Sequence, residues 1–239
     1  MRGKLIVLEG IDCSGKQTQS ELLTVNLQAM GMKAKHLSFP DYETPTGKII
    51  AGPLLGNPVY GESYFDSYEQ IDPKIRSLYY AADRRAQKKQ IEQWLDDGYF
   101  VILDRYTTSN MGYQGSFYQT KEEREAFFDW IWQLEFDLLE LPQPDLLLYL
   151  QVPTRMVQVL RKNREVLDTV EENDALLEQT ELCYQELVKR FVHETILCCE
   201  EQMKEIGVIQ KEILEAVMKM ISRKTLEQQI IDAMKDENS

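Results

Sequence analysis

The chain has little of what builds metal centres or disulfide frameworks. It carries two histidines, His36 and His193, and four cysteines among 239 residues. Cys13, Cys183, Cys198 and Cys199 contain no Cys-x-x-Cys pair. The sequence therefore predicts no structural zinc site, and reduced thiols in a cytoplasmic protein. Long apolar runs are missing too. No stretch approaches the ~20 residues that cross a bilayer, and the N-terminus lacks the apolar core of a secretory signal, so a membrane is not an expected partner. Basic residues are outnumbered, 27 Lys and Arg against 40 Asp and Glu, for a net charge of −13. Such a surface repels polyanions, and nucleic acid is not an expected partner either. A small phosphorylated ligand remains compatible if the few cations converge in one cleft. There is no internal repeat and no low-complexity linker. With 43% hydrophobic residues, the chain reads as one domain over residues 1–239.

What is present is an alternation of short buried strands and helical segments. "KLIVLEG" (Lys4 to Gly10) is a branched apolar run ending at glycine, the pattern of a strand buried on both faces. Residues Lys16 to Met30 have helical spacing, with Leu22, Leu23, Leu27 and Met30 on one side. "KAKHLSF" (Lys33 to Phe39) predicts a second strand, broken by Pro40 and Pro45. Tyr79 to Gly98 predicts a long amphipathic helix closed by Gly98. Three more strands are predicted at Tyr99–Tyr106, Pro144–Val152 and Thr195–Glu200. From about Gly207 the pattern is helical, with an extension over about 222–239 whose last residues, "MKDENS", should fray. Strands and helices in this order imply an α/β fold, a parallel sheet of about five strands flanked by helices.

Between the first strand and the first helix lies "GIDCSGKQT", Gly10 to Thr18. The spacing Gly-x4-Gly-Lys is short enough to occur by chance. Its place after a buried strand and before a helix is the context a phosphate-binding loop requires. Glycines let backbone N–H groups curl around phosphate oxygens, the helix N-terminus adds positive charge, and Lys16 supplies a mobile cation. Gln17 stands where a Ser or Thr hydroxyl normally meets magnesium, and Thr18 offers a hydroxyl one position late. Asp12, inside the loop, needs a metal, a hydroxyl or a cation to face; as a plain alternative it is an acid favoured at a helix start. Asp104 and Arg105 end the third strand, where ligands gather in open α/β sheets. A carboxylate there can hold magnesium waters and an arginine a phosphate; the plain alternative is a strand-end ion pair.

Five blocks in order carry a resemblance: "LEGIDCSGKQTQ", "SFPDYETPTGKII", "SLYYAADRRAQ", "VILDRYTTSNMGYQG" and "LPQPDLLLYLQVP". Together, over Lys4 to about Ser222, the chain resembles thymidylate kinases, which move a phosphoryl group from ATP to dTMP. The resemblance implies a P-loop nucleoside monophosphate kinase fold with five parallel strands and a mobile lid, ATP with Mg2+, a homodimer, and dTTP synthesis. It implies that Gly10, Ile11, Asp12, Cys13, Ser14, Gly15, Lys16, Gln17 and Thr18 wrap the ATP phosphates. It assigns Asp12 to the 3′-hydroxyl of dTMP and the metal region, Phe39 and Pro40 to the border of the monophosphate site, and Tyr80 to stacking on thymine. Arg84, one turn after Tyr80, is assigned to the base carbonyl, Arg105 to the dTMP phosphate, Tyr113 to the sugar, and Gln114 to a second base contact. Tyr42, which stands where some relatives place an arginine toward the dTMP phosphate, is counted with the dTMP-binding residues. Tyr79 reads as a core aromatic. The lid is expected at about 160–174, where Arg161 or Arg164 would close over ATP; one family branch instead carries that arginine in the phosphate loop, where this chain has Cys13. Magnesium is expected to be held through waters by Asp104 and Gln17. The segment from Ala51 to Pro73 is longer than in compact relatives and is expected to form a helix and loop beside the acceptor site. Other implied readings are a kinase for another nucleoside or monophosphate, or a catalytically impaired nucleotide-binding homologue.

Overall fold

The computed structural model describes residues 2–161 and 174–236, with backbone alone for residues 161, 174–175 and 224–236. Five strands are present: β1 (Lys4–Glu9), β2 (Ala34–Ser38), β3 (Phe100–Asp104), β4 (Leu146–Gln151) and β5 (Glu194–Leu197). They form one parallel sheet in the order β2-β3-β1-β4-β5. Leu5 to Leu8 of β1 and Val101 to Leu103 of β3 are all buried. Both faces of these strands are covered, which is why they read as unbroken apolar runs rather than alternating ones. Leu8 pairs in register with Asp104, and Asp104 with Ser38. Three strand ends are thereby brought level, and the functional loops leave from that edge.

The helices are α1 (Lys16–Ala29), α2 (Pro45–Ile49), α3 (Pro73–Asp96), α4 (Thr107–Gly115), α5 (Lys121–Trp132), α6 (Thr154–Arg161), α7 (Asp174–Phe191) and α8 (Ile206–Asp236). Leu23 and Leu27 of α1, Phe127 and Phe128 of α5, Leu187 of α7 and Ile213 of α8 share one large core with Ile6 and Leu8. On the other side, Ile91 and Leu95 of α3 pack with Leu5, Val7, Val101 and Leu103.

Three boundaries differ from the sequence reading. The long helix begins at Pro73 rather than Tyr79, because the Asp72 carboxylate accepts from the N–H groups of Lys74 (2.8 Å) and Ile75 (3.3 Å) and Pro73 occupies the first helical position. Met30 lies past the end of α1 and is exposed, so the buried face rests on Leu23 and Leu27. The stretch after α2 contains two short turns rather than a regular helix: a π-helical turn at Ile50–Leu54, with Pro53 inside it, and a 3-10 turn at Tyr68–Gln70. Ile50, Leu54 and Ile71 form a small core of their own there, with Tyr79 and Tyr80 packed against it.

Candidate active site

The loop from Gly10 to Gly15 turns the end of β1 into α1. Gly15 caps the helix with φ of +85°, a left-handed conformation that glycine adopts without cost. Cys13 takes φ of +61° and Arg105, at the end of β3, φ of +67°. Non-glycine residues held there store strain, and such strain collects at functional sites. Lys16 is buried, and its ammonium donates to the carbonyl of Ile11 at 2.8 Å. Burial and the nearby Arg105 lower its pKa to about 8, against the opposing pull of Asp12, Asp104 and Glu9.

Glu9 fixes the loop from beneath. Its fully buried carboxylate accepts from the Gly10 N–H (2.9 Å), the Thr108 hydroxyl (3.0 Å), the Ser109 hydroxyl (2.8 Å) and the Tyr184 hydroxyl (3.0 Å). One acid thus joins β1, the start of α4 and α7, with its lone pairs satisfied by donors rather than by a cation.

Beyond the loop, Arg105 forms an ion pair with Asp12, reaches toward the Ser109 hydroxyl at 3.5 Å and lies 5.0 Å from the centre of the Tyr113 ring. Burial alone would lower the Arg105 pKa; Tyr113, Asp12, Glu9 and Asp104 reverse that and hold it well above the usual value. It is a permanent cation at the mouth of a cavity.

That cavity brings together Asp12, Phe39, Pro40, Tyr42, Tyr80, Arg84, Arg105, Tyr113 and Gln114. All nine residues assigned to the acceptor from the sequence line it. Four more complete the wall: Leu55, Tyr68, Ser109 and Asn110. Asn110 was not singled out from the sequence; its place four residues before Gln114, on one helix face, is the signal that could have found it. Nothing local pointed to Tyr68 or Leu55, which a long loop carries in from outside.

Arg84 has a partner the sequence reading missed. Its Nε and Nη2 donate to Glu135 at 2.5 and 2.7 Å, with both side chains almost wholly buried. Glu135 also accepts from the Thr107 hydroxyl (3.0 Å) and the Asn110 amide (2.9 Å). It sits in a π-helical turn, Gln133–Leu138, that follows α5. Burial by itself would lower the Arg84 pKa; the charge and hydrogen bonds of Glu135 outweigh it and keep Arg84 cationic. A buried pair held from several sides orients both members.

The remaining residues are placed less centrally. Gln17 is exposed on the first turn of α1, where its amide donates to Glu21 at 3.2 Å. Thr18 is also exposed. Asp104 is buried, and its Oδ1 has no hydrogen-bond partner among the described residues. An acceptor left over at the strand end, felt by Lys16, is what a hydrated cation needs, so Asp104 fits a magnesium role better than Gln17. Among the described residues no three His, Cys, Asp or Glu side chains converge on a metal site of their own. The Arg161 side chain, Arg164 and the rest of the expected lid lie outside the described residues.

A phosphate loop at the middle strand of a parallel five-stranded sheet, facing a cavity with a fixed cation, defines a P-loop nucleoside monophosphate kinase fold. A solved thymidylate kinase from Candida albicans superposes with a TM-score of 0.69 and 25% identity, over 91% of this chain and 92% of that one. The family model described as thymidylate kinase matches residues 8–213. The human thymidylate kinase is 31% identical over 79% of this chain and 78% of its own length. That of Plasmodium falciparum is 30% identical over 92% and 91%, and a probable thymidylate kinase of Pyrococcus abyssi is 30% identical over 95% and 99%. The chain belongs to the thymidylate kinase family.

Proposed function

We infer that the protein transfers the γ-phosphoryl group of ATP to dTMP, giving dTDP for dTTP synthesis. The observation that carries this is the meeting of a phosphate loop with a second cavity lined by Arg105 and by a wall of aromatic and amide side chains. One end suits a phosphate and the other a planar base. The loop N–H groups and Lys16 hold the ATP phosphates, and Arg105 holds the phosphate of the acceptor. Asp12 orders Arg105 and meets the acceptor's sugar. Tyr80 offers a face for the base, while Arg84, Asn110 and Gln114 offer polar contacts to its edge.

No general base is required, because phosphoryl transfer proceeds by alignment and by spreading charge onto fixed cations. Magnesium, when bound, neutralises the β- and γ-phosphate oxygens. Asp104 is the residue that would hold its waters, with Gln17 a lesser support. A lid at about 160–174 would bring Arg161 or Arg164 to the transferring group and exclude water. We assign the whole chain, 1–239, to one kinase domain with a helical extension after about 222.

Among the described residues no two cysteines form a disulfide, which supports the reducing cytoplasm as the compartment. Among the described residues no helix is long and apolar enough to cross a membrane. A homodimer is supported by apolar side chains on α3 and the turn after α5: exposed Leu78 lines a surface groove with Ala82, Leu134 and Leu139, and Ile75 and Leu138 are exposed as well.

The test is a coupled ADP-release assay with MgATP and a panel of nucleosides and monophosphates. The expected result is turnover with dTMP well above the other acceptors, dUMP being weaker. Preference for a different acceptor, or tight nucleotide binding with no turnover, would overturn it.

A further inference from the structure

The segment between α2 and α3 carries Leu55 and Tyr68 into the cavity wall. Tyr68 is anchored in an unusual way. The Arg76 guanidinium is fully buried, lies 4.4 Å from the centre of the Tyr68 ring and 3.7 Å from that of Phe117, and donates to the Tyr68 carbonyl at 3.0 Å. Its Nε and Nη2 have no hydrogen-bond partner among the described residues. A cation buried without a carboxylate is costly, and the two ring faces offset part of that. The sandwich ties the inserted segment to the end of α4, because Phe117 follows that helix directly.

The consequence lies at the Tyr68 hydroxyl, which accepts from Gln114 Nε2 at 3.0 Å and lies 3.4 Å from the Tyr80 hydroxyl. Gln114 is buried, and its Oε1 has no partner among the described residues. Asn110, one turn earlier, is built in a similar way. Its Nδ2 donates to the Ser77 carbonyl (3.1 Å) and to Glu135 (2.9 Å), and its Oδ1 has no partner among the described residues. Asn110 thus commits both N–H groups to the protein and Gln114 one, and each keeps a carbonyl over for an occupant. Such a wall matches a base edge that carries an N–H donor and opposes one that carries a ring-nitrogen acceptor.

We propose that Tyr68 is a specificity-determining residue: its hydroxyl locks the Gln114 amide with the carbonyl toward the ligand, so that the site selects pyrimidines with an imide N–H over aminopyrimidines. Arg76 is a positioning residue that holds Tyr68 in place. The inference rests on the reading of this cavity as the acceptor site. Without the hydroxyl, Gln114 is free to turn and present its N–H groups, which is the pattern a cytosine edge accepts.

The experiment compares kcat/KM for dTMP and dCMP in the wild-type protein, Tyr68→Phe and Arg76→Met, with KM for ATP measured alongside. In Tyr68→Phe the preference for dTMP over dCMP should fall by about tenfold, the scale of one buried hydrogen bond, with KM for ATP unchanged. Arg76→Met keeps the side chain's bulk and should shift the ratio in the same direction, which keeps the test decisive if Tyr68→Phe does not fold. Loss of folded protein alone would lower both rates together. An unchanged ratio in variants of a wild-type enzyme that uses dTMP overturns the inference and leaves the proposed activity standing; a wild-type protein that does not use dTMP overturns both.

Discussion

A few buried charged groups decide what the site can do, and each behaves as its surroundings require. Lys16 has its pKa lowered to about 8, first by burial and then by Arg105. The free protein therefore holds the cationic form below that value and loses it as pH rises through it. A neutral amine binds phosphate weakly, so kcat/KM for ATP should be level near neutrality and fall above about pH 8. Bound phosphates restore the proton, so kcat at saturating ATP should fall only at higher pH. A pH-rate series between about pH 7 and pH 10 checks this; a flat kcat/KM across that range would remove Lys16 as the titrating group. The residues that were legible in the sequence are those with a local signature. Lys16 has its glycines and Arg105 follows an apolar strand, whereas Tyr80 and Arg84 were singled out by the resemblance to thymidylate kinases, with which their one-turn spacing agrees. Glu9 and Glu135 had no such mark. An acid that is hydrogen-bonded inside the protein looks, in one dimension, like any acid on a surface.

At the scale of elements, α4 is the common wall of the site. One face gives Ser109, Asn110, Tyr113 and Gln114 to the cavity, while Gly112 faces α7. A Cβ on Gly112 would lie 2.5 Å from the Tyr184 ring, and that tyrosine is buried with its hydroxyl on Glu9. Gly112→Ala should therefore force Tyr184 away and loosen the phosphate loop through Glu9. We expect a loss of about 1–3 kcal/mol in urea unfolding together with a reduced kcat, and a variant as stable as the wild type would refute the close approach. Strand positions were readable because burial on both faces leaves continuous apolar runs, and β3 and β4 fall within the stretches expected. α3 starts ahead of Tyr79, at Pro73, because Asp72 and Pro73 form an ordinary helix-start pair. The π-helical turns have no sequence signature of their own, since they arise when one extra residue is accommodated by packing.

For the whole molecule, the acidic surface and the concentrated cations are one design. Net charge of −13 disfavours a polyanion at the surface, while the cations Lys16 and Arg105 lie close enough to feel one another at the loop. The apolar outer face of α3 is the surface that the proposed homodimer would bury. Leu78→Glu should convert a dimer into monomers in sedimentation or light-scattering measurements at micromolar concentration, and an unchanged mass would place the interface elsewhere. The sequence by itself determined the fold class and the strand–glycine–lysine–helix loop, because each depends on local spacing; the residues assigned to the acceptor came through the resemblance to thymidylate kinases. Only the tertiary structure decided which acid holds Arg84, which carboxylate anchors the loop, and that Tyr68 reaches Gln114. Those contacts join segments far apart in the chain, and the energy that selects them comes from burial and hydrogen bonding across the fold, which no short stretch of sequence records.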